Sequence, residues 1–417
     1  MKRALFGLGS AAAVVATVII LSGDAAWAQA AAPSWPEYRG AKRDGISDET
    51  FNWPEGGPKV AWRLNVGQGY SCVAVLIGKL YTMGNTNDEE TVWCVDAATG
   101  KEIWKHTYPC KAVFISKDNA GSASTPTVDA KRVYTISQRG DMFCFEADTG
   151  KVVWSKKLKA DYQARIPDHG YSCSPLVSED LLIFEAGAKD GGALIAVNKM
   201  TGELVWKKGE GVVGYSSPVP YVKDGKPRVA ALMGDCVLGL DARTGEQLWR
   251  FPYKVQWNIT IPNPIVVGDK VFISSGYCGG AVLLDISAPA EPKVLWKTIE
   301  FSNQFTTPVL WKGYLYGFEG DNDRKPFLRC FDFNTGEQKW SQDGFGRGSL
   351  MLAGGKLLVM SEKGDLVIVD PTPDAYKELG RMHVLDGQCW TMPVLCGGKI
   401  YCRSHTGELV CLDVSAK

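Results

Sequence analysis

The chain has 417 residues, and its 46 Lys plus Arg offset 46 Asp plus Glu, giving a formal charge of +0 at neutral pH. That balance argues against a nucleic-acid partner, which calls for a basic surface. With 46 Gly, 21 Pro, 14 Trp and 45% hydrophobic residues, the composition excludes a disordered or fibrous chain and suits a large all-β domain with many turns.

Residues 1–28 read as an export leader. Lys2-Arg3 precede an apolar run from Ala4 to Leu21, and Gly23-Asp24 and Ala26-Trp27-Ala28 follow. A basic start, an apolar centre and a small-x-small ending make a signal peptide cleaved after Ala28. The expected location is therefore periplasmic or secreted. A retained leader is the alternative, since its run is close to the roughly 17-residue minimum for a span. Only in that case is a membrane expected as a partner.

Residues 29–58 form a strap ahead of the repeats and carry Trp35-Pro36-Glu37-Tyr38-Arg39-Gly40 and Arg43-Asp44-Gly45. Residues 59–417 form one domain. Its first piece, Lys59-Val60-Ala61-Trp62-Arg63, looks like an outer strand without a blade.

A nine-residue unit, Asp-Ala-x-Thr-Gly-(Lys/Glu)-x-x-Trp, then recurs. The clearest copy runs from Asp96 to Trp104, with others at Glu146–Trp154, Asn198–Trp206, Asp241–Trp249 and Asp332–Trp340. A degenerate copy spans Asp285 to Trp296, and Asp370 and Asp413 continue the series. The step between Trp residues is about 42 to 52, the period of a four-stranded propeller blade.

One blade can be read within Thr125–Trp154. Inner (Thr125–Val128), second (Val133–Ser137) and third (Met142–Phe145) strands are separated by polar turns. Thr149-Gly150 turns the chain into the outer strand, Val152–Trp154. Ser174-Pro175, Ser217-Pro218, Asn263-Pro264, Thr307-Pro308 and Met392-Pro393 open further inner strands, where Pro costs no ladder donor. Ser71-Cys72 and Ser349-Leu350 are versions without Pro. These starts predict an all-β, eight-bladed β-propeller of four-stranded antiparallel blades. Its last unit stops at Leu412-Asp413, before an outer strand, so the N-terminal strand around Trp62 is expected to close the ring and hide both edges. The Trp rings are expected between blades.

The repeat register also sorts the cysteines. Cys94, Cys144, Cys330 and Cys411 take one equivalent third-strand position and lie too far apart to pair with each other. A two-residue turn at Thr406-Gly407 places Cys402 opposite Cys411, where a bridge is feasible. Connectivity among Cys72, Cys110, Cys173, Cys236, Cys278 and Cys389 is left open. No Cys-x-x-Cys, Cys-x-x-Cys-His or His-Glu-x-x-His occurs, so no zinc or c-type haem is expected.

The Thr-Gly-x-x-x-Trp repeats resemble those of the pyrroloquinoline-quinone-like (PQQ-like) propeller superfamily, which includes quinoprotein alcohol dehydrogenases and a non-enzymatic envelope assembly protein. The likeness runs from about Lys59 to Asp413, and the front motif resembles the start of exported, functionally unassigned members. The enzymes it includes imply a flat aromatic floor, cations for the quinone carboxylates, Ca²⁺ and a base. They typically add a disulfide between adjacent cysteines, which this chain lacks. No calcium ligand or catalytic residue can be matched. The expectation is a non-catalytic binding or assembly scaffold with no cofactor; the alternative is a PQQ- and Ca²⁺-dependent dehydrogenase of an alcohol or sugar.

In a propeller, binding residues gather where inter-blade loops converge at the channel mouth. The two longest connections, Lys105–Ser124 and Ser155–Ser174, carry Tyr108, Lys117, Asp118, Asn119, Tyr162, Arg165, His169 and Tyr171. Shorter ones bring Tyr70, Tyr215, Trp257, Asn258, Gln304, Arg347 and Trp390. Aromatic and basic groups of this kind suit an envelope protein or a small planar or sugar-like ligand. The turn Glu319–Asp323 has alternating oxygen ligands but lacks the trailing Glu of a calcium loop, so no metal is expected there.

Overall fold

A computed structural model describes residues 33–113, 120–288, 291–321 and 324–415. The leader, Lys117–Asn119 and part of the Glu319–Asp323 turn lie outside the described residues. From Pro33 onward the described chain is one unit of eight antiparallel sheets. Seven blades take four consecutive strands each, as in Thr127–Asp129, Arg132–Ile136, Asp141–Glu146 and Val152–Lys157. The eighth takes its outer strand from the front: Lys59–Asn65 pairs with Glu408–Asp413, with Trp62 opposite Cys411. That pairing buries two sheet edges at once.

The repeat is an adhesive between blades. Cys94, Cys144, Cys330 and Cys411 each lie between a Tyr of the second strand and the repeat Trp of the outer strand. The Tyr and Trp rings approach to 5.9–6.1 Å in all four. Each indole then reaches the next blade. Trp104 donates to the Ala147 carbonyl at 2.9 Å, Trp154 to Lys199 at 3.1 Å and Trp206 to Ala242 at 3.2 Å. Trp249 faces the degenerate copy and donates instead to the Tyr221 hydroxyl.

The Cys402–Cys411 expectation is corrected. The hairpin loop holds three residues, because the Ser404 N–H bonds to the Glu408 carbonyl. Register therefore shifts by one: Tyr401 faces Cys411, and Cys402 faces Val410. Cys402 and Cys411 point to opposite faces of the sheet and cannot be bridged. All twelve cysteines, including Cys396 in the last blade, are free thiols.

The strap is built into the ring. Trp35 bridges Val75, the Pro36 carbonyl accepts from Val128, and Ile46–Ser47 adds a parallel fifth strand to the blade beginning Ser349–Ala353. Between these anchors it crosses one end of the channel.

Candidate functional site

A ring of hydrogen bonds surrounds the channel, made by the residues that open the inner strands. The Cys72 N–H donates to Thr125 Oγ1 (3.0 Å), Thr125 to Ser174 Oγ (2.9 Å) and Ser174 to Ser217 Oγ (2.9 Å). Ser217 donates to Asn263 Oδ1 (3.1 Å) and Asn263 to Thr307 Oγ1 (2.8 Å). Each Ser, Thr or Asn before Pro thus accepts from the preceding blade. The last two blades close differently, with Ser349 Oγ donating to the Thr391 carbonyl (2.9 Å).

Beneath this collar the strap inserts two fully buried arginines. Arg39 donates to the carbonyls of Thr307 and Pro308, both at 2.9 Å. Arg43 donates to the carbonyls of Ser174, Pro175 and Pro218, and pairs with Glu37 at 2.6 Å. Backbone carbonyls hold these cations where a bare buried charge would be expensive. Burial raises the Glu37 carboxyl above its usual range, and Arg43 opposes that rise. The strap closes this end, and Tyr38 becomes part of the wall of a one-ended cavity of about 670 Å³.

On the open side, rings and one guanidinium are stacked in sequence. Phe305 lies on Trp390 at 4.2 Å, Trp390 on Tyr70 at 5.6 Å, and Tyr70 meets His405 at 4.9 Å. Arg347 sits 5.7 Å from Phe305 and 5.9 Å from Trp390. Glu362 fixes both, accepting from the Trp390 Nε1 (3.0 Å) and the Arg347 N–H (3.1 Å). Desolvation raises the Tyr70 hydroxyl and lowers the His405 imidazole, so both favour their neutral forms. Across the cavity Trp257 is 65% exposed and meets Tyr277 edge-on at 5.1 Å. Trp257, Asn258, Tyr277 and Cys278 all have positive φ, from 50° to 67°. Two adjacent left-handed pairs at one lip are strained backbone of the kind that gathers at functional sites.

Of the residues predicted from sequence, His169, Trp257, Arg347 and Trp390 line the cavity, as do Tyr70, Tyr215 and Gln304. The others do not. Tyr108 is buried between blades, 4.7 Å from Phe143 and beside Glu90. Tyr162 belongs to a short helix, Leu158–Tyr162, and packs toward Phe184. Tyr171 is buried, donating its hydroxyl to the Arg165 and Ala186 carbonyls. Arg165 is exposed and lies 3.7 Å from Asp168, and Asn258 is exposed at the lip without lining the cavity. Sequence spacing places all of these but Asn258 on the two long connections. Tyr108 instead lies in the outer strand Glu102–Pro109, opposite Glu90, and Tyr162 and Tyr171 pack against Leu181–Ala188 of the following blade. Tyr38, Tyr277, Gln388 and Thr391 line the cavity without having been expected there. The motif around Tyr38 is the only signal that points to any of them.

The donor set does not match a calcium-held quinone, which needs several oxygen ligands and more than one cation. Among the described lining residues the carboxylate is Asp168 alone and the guanidinium is Arg347 alone. Phe305 and Tyr70 both stack against Trp390.

Fold and site together define an eight-bladed propeller whose channel is plugged by its own N-terminal strap and open at one aromatic mouth. The chain belongs to the PQQ-like repeat family described as outer membrane protein assembly factor BamB, matched over residues 88–342 and 235–417. It is 21% identical to the outer membrane protein assembly factor BamB of Shewanella oneidensis over 84% of this chain and 88% of that protein. It is 30% identical to the dehydrogenase subunit of the quinone alcohol dehydrogenase of Gluconobacter oxydans, over 38% of this chain and 22% of that one. The chain spans only about a quarter of the length of the quinoprotein dehydrogenases it matches first. The quinohemoprotein alcohol dehydrogenase of Comamonas testosteroni superposes with a TM-score of 0.66 at 14% identity, covering 92% of this chain and 81% of that one. At that identity the likeness shows the fold alone.

Proposed function

We propose that the protein is an exported, non-catalytic scaffold that serves protein assembly at the cell envelope. The observation that carries this reading is the extent of each likeness. Similarity to the assembly factor runs along nearly the whole of both chains, whereas similarity to the dehydrogenases covers a minor part of theirs. A mouth with one lining carboxylate and one lining guanidinium supports work without PQQ or Ca²⁺. A PQQ-dependent dehydrogenase of an alcohol or sugar is the second reading, favoured by the locally higher identity to the Gluconobacter enzyme.

Deleting the gene and measuring folded outer-membrane proteins tests the scaffold. Their level should fall and be restored by the intact protein, while dye reduction with added PQQ and Ca²⁺ stays at background. Unchanged outer-membrane proteins together with PQQ-dependent oxidation would reverse the assignment.

A further inference from the structure

The cavity above the collar contains buried polar groups that its own packing leaves unused. Gln304 is 1% exposed and lines the cavity, yet neither Oε1 nor Nε2 has a partner among the described residues. Asn263 is 2% exposed and spends its Oδ1 on the collar, leaving Nδ2 free. The Thr391 hydroxyl, in a residue 5% exposed, is also unpartnered, and so is Nε of Arg347. Leaving such groups unbonded costs about 1–3 kcal/mol each, so native proteins rarely keep several in one wall without a ligand or water to meet them.

The chemistry of these groups restricts what can meet them. The Gln304 amide and the Thr391 hydroxyl both donate and accept, and the Asn263 Nδ2 donates, which matches a molecule whose own groups do both. Hydroxyls on a saturated ring satisfy that condition. The aromatic surface still open, Trp257 at the lip beside Tyr277, offers a face to ring C–H groups. A flat fused ring would compete on Trp390 with Phe305 and Tyr70, which already stack there. Charge adds one more restriction. The Arg347 guanidinium donates to the Asp321 backbone carbonyl but forms no salt bridge among the described residues, Glu362 reaching only its backbone N–H, and Asp168, the lining carboxylate, already lies beside Arg165. The cavity therefore favours an anion over a cation. A volume of about 670 Å³ holds one or two sugar rings, and the strap prevents a chain from threading through.

We propose that this cavity is a binding site for a small acidic saccharide, with its carboxylate on Arg347 and its hydroxyls on Gln304, Asn263 and Thr391. The site is independent of the scaffold reading, and its test does not involve outer-membrane proteins.

Calorimetric titration of the full chain with D-glucuronate and with D-glucose is the test. Glucuronate should bind saturably, one per chain, and about tenfold more tightly than glucose, the gain expected of one charge-assisted pair. Arg347→Gln should erase that difference. Trp257→Ala, at an exposed position where folding is spared, should weaken both sugars. No saturable binding of either sugar overturns the proposal. So does a preference for glucuronate that survives Arg347→Gln, or saturable binding of PQQ that either sugar fails to displace.

Discussion

The six-membered ring of Trp104 lies directly over Gly150 of the following blade, so that a Cβ added to that glycine would come within 2.6 Å of it. The same indole donates its Nε1–H to the Ala147 carbonyl three residues earlier. Trp62 on Gly100, Trp154 on Gly202, Trp206 on Gly245 and Trp296 on Gly336 repeat the contact at 2.7–2.8 Å. The Thr-Gly and the Trp of the repeat are therefore two halves of one joint, contributed by neighbouring blades. Gly is required twice at each joint, for a φ near 70° and for the space the ring fills.

Gly150→Ala should consequently cost more than the roughly 1 kcal/mol of strain at a left-handed position. Gly225 has the same φ of 70°, and a methyl group added there would meet nothing within 4 Å, which makes it the control. Denaturant melts should show a clearly larger loss for Gly150→Ala than for Gly225→Ala. Equal losses would remove the steric half of the joint.

Trp154→Ala should cost about 3–5 kcal/mol, because it empties a buried inter-blade cavity and orphans the Lys199 carbonyl. Trp390→Ala should cost less, since that ring lines an open cavity and closes no joint. Its effect should appear in ligand binding. Tyr108 and Tyr162, though carried by the long connections, should behave like Trp154: their loss lowers stability first.

Arg43→Met should destabilise by about 3–5 kcal/mol, the cost of leaving a buried partner charge uncompensated, here Glu37. Adding Glu37→Gln should recover part of that loss by removing the stranded charge. Deleting residues 29–64 takes away both the plug and the closing strand, so the whole ring should melt at lower temperature. A truncated chain melting with the wild type would contradict the closure by Lys59–Asn65.

Glu90 supplies a pH test. Burial pushes its carboxyl from 4.5 up to about 8, against the pull of Ser122 and Cys110 beside it. The folded state therefore keeps a proton that the unfolded state releases. Its contribution to stability is complete below about pH 4.5 and declines by about 1.4 kcal/mol per pH unit until about pH 8. Glu90→Gln should flatten the decline and stabilise the protein most at the alkaline end. An unchanged slope in the variant, measured by denaturant melts across this range, would show that the carboxyl is charged in the fold.

The sequence alone determined the architecture, because blade formation is local and periodic. Alternating strands, the Thr-Gly turn and the spaced Trp are all written within one unit, and the missing last strand pointed to the closure by Trp62. It located part of the mouth as well, in His169, Trp257, Arg347 and Trp390. Tertiary structure decided the rest. Tyr108 is buried because the outer strand continues through it, and Tyr162 because its helix packs on the following blade, while Cys402 turned on a single extra residue in a hairpin. The Ser/Thr/Asn before each Pro read as strand starts; only ring closure brings them into one collar, each accepting from the blade before it. The same holds for Arg39 and Arg43. Their partners in the ring are carbonyls more than 130 residues away, and backbone carbonyls carry no residue identity that a sequence could display.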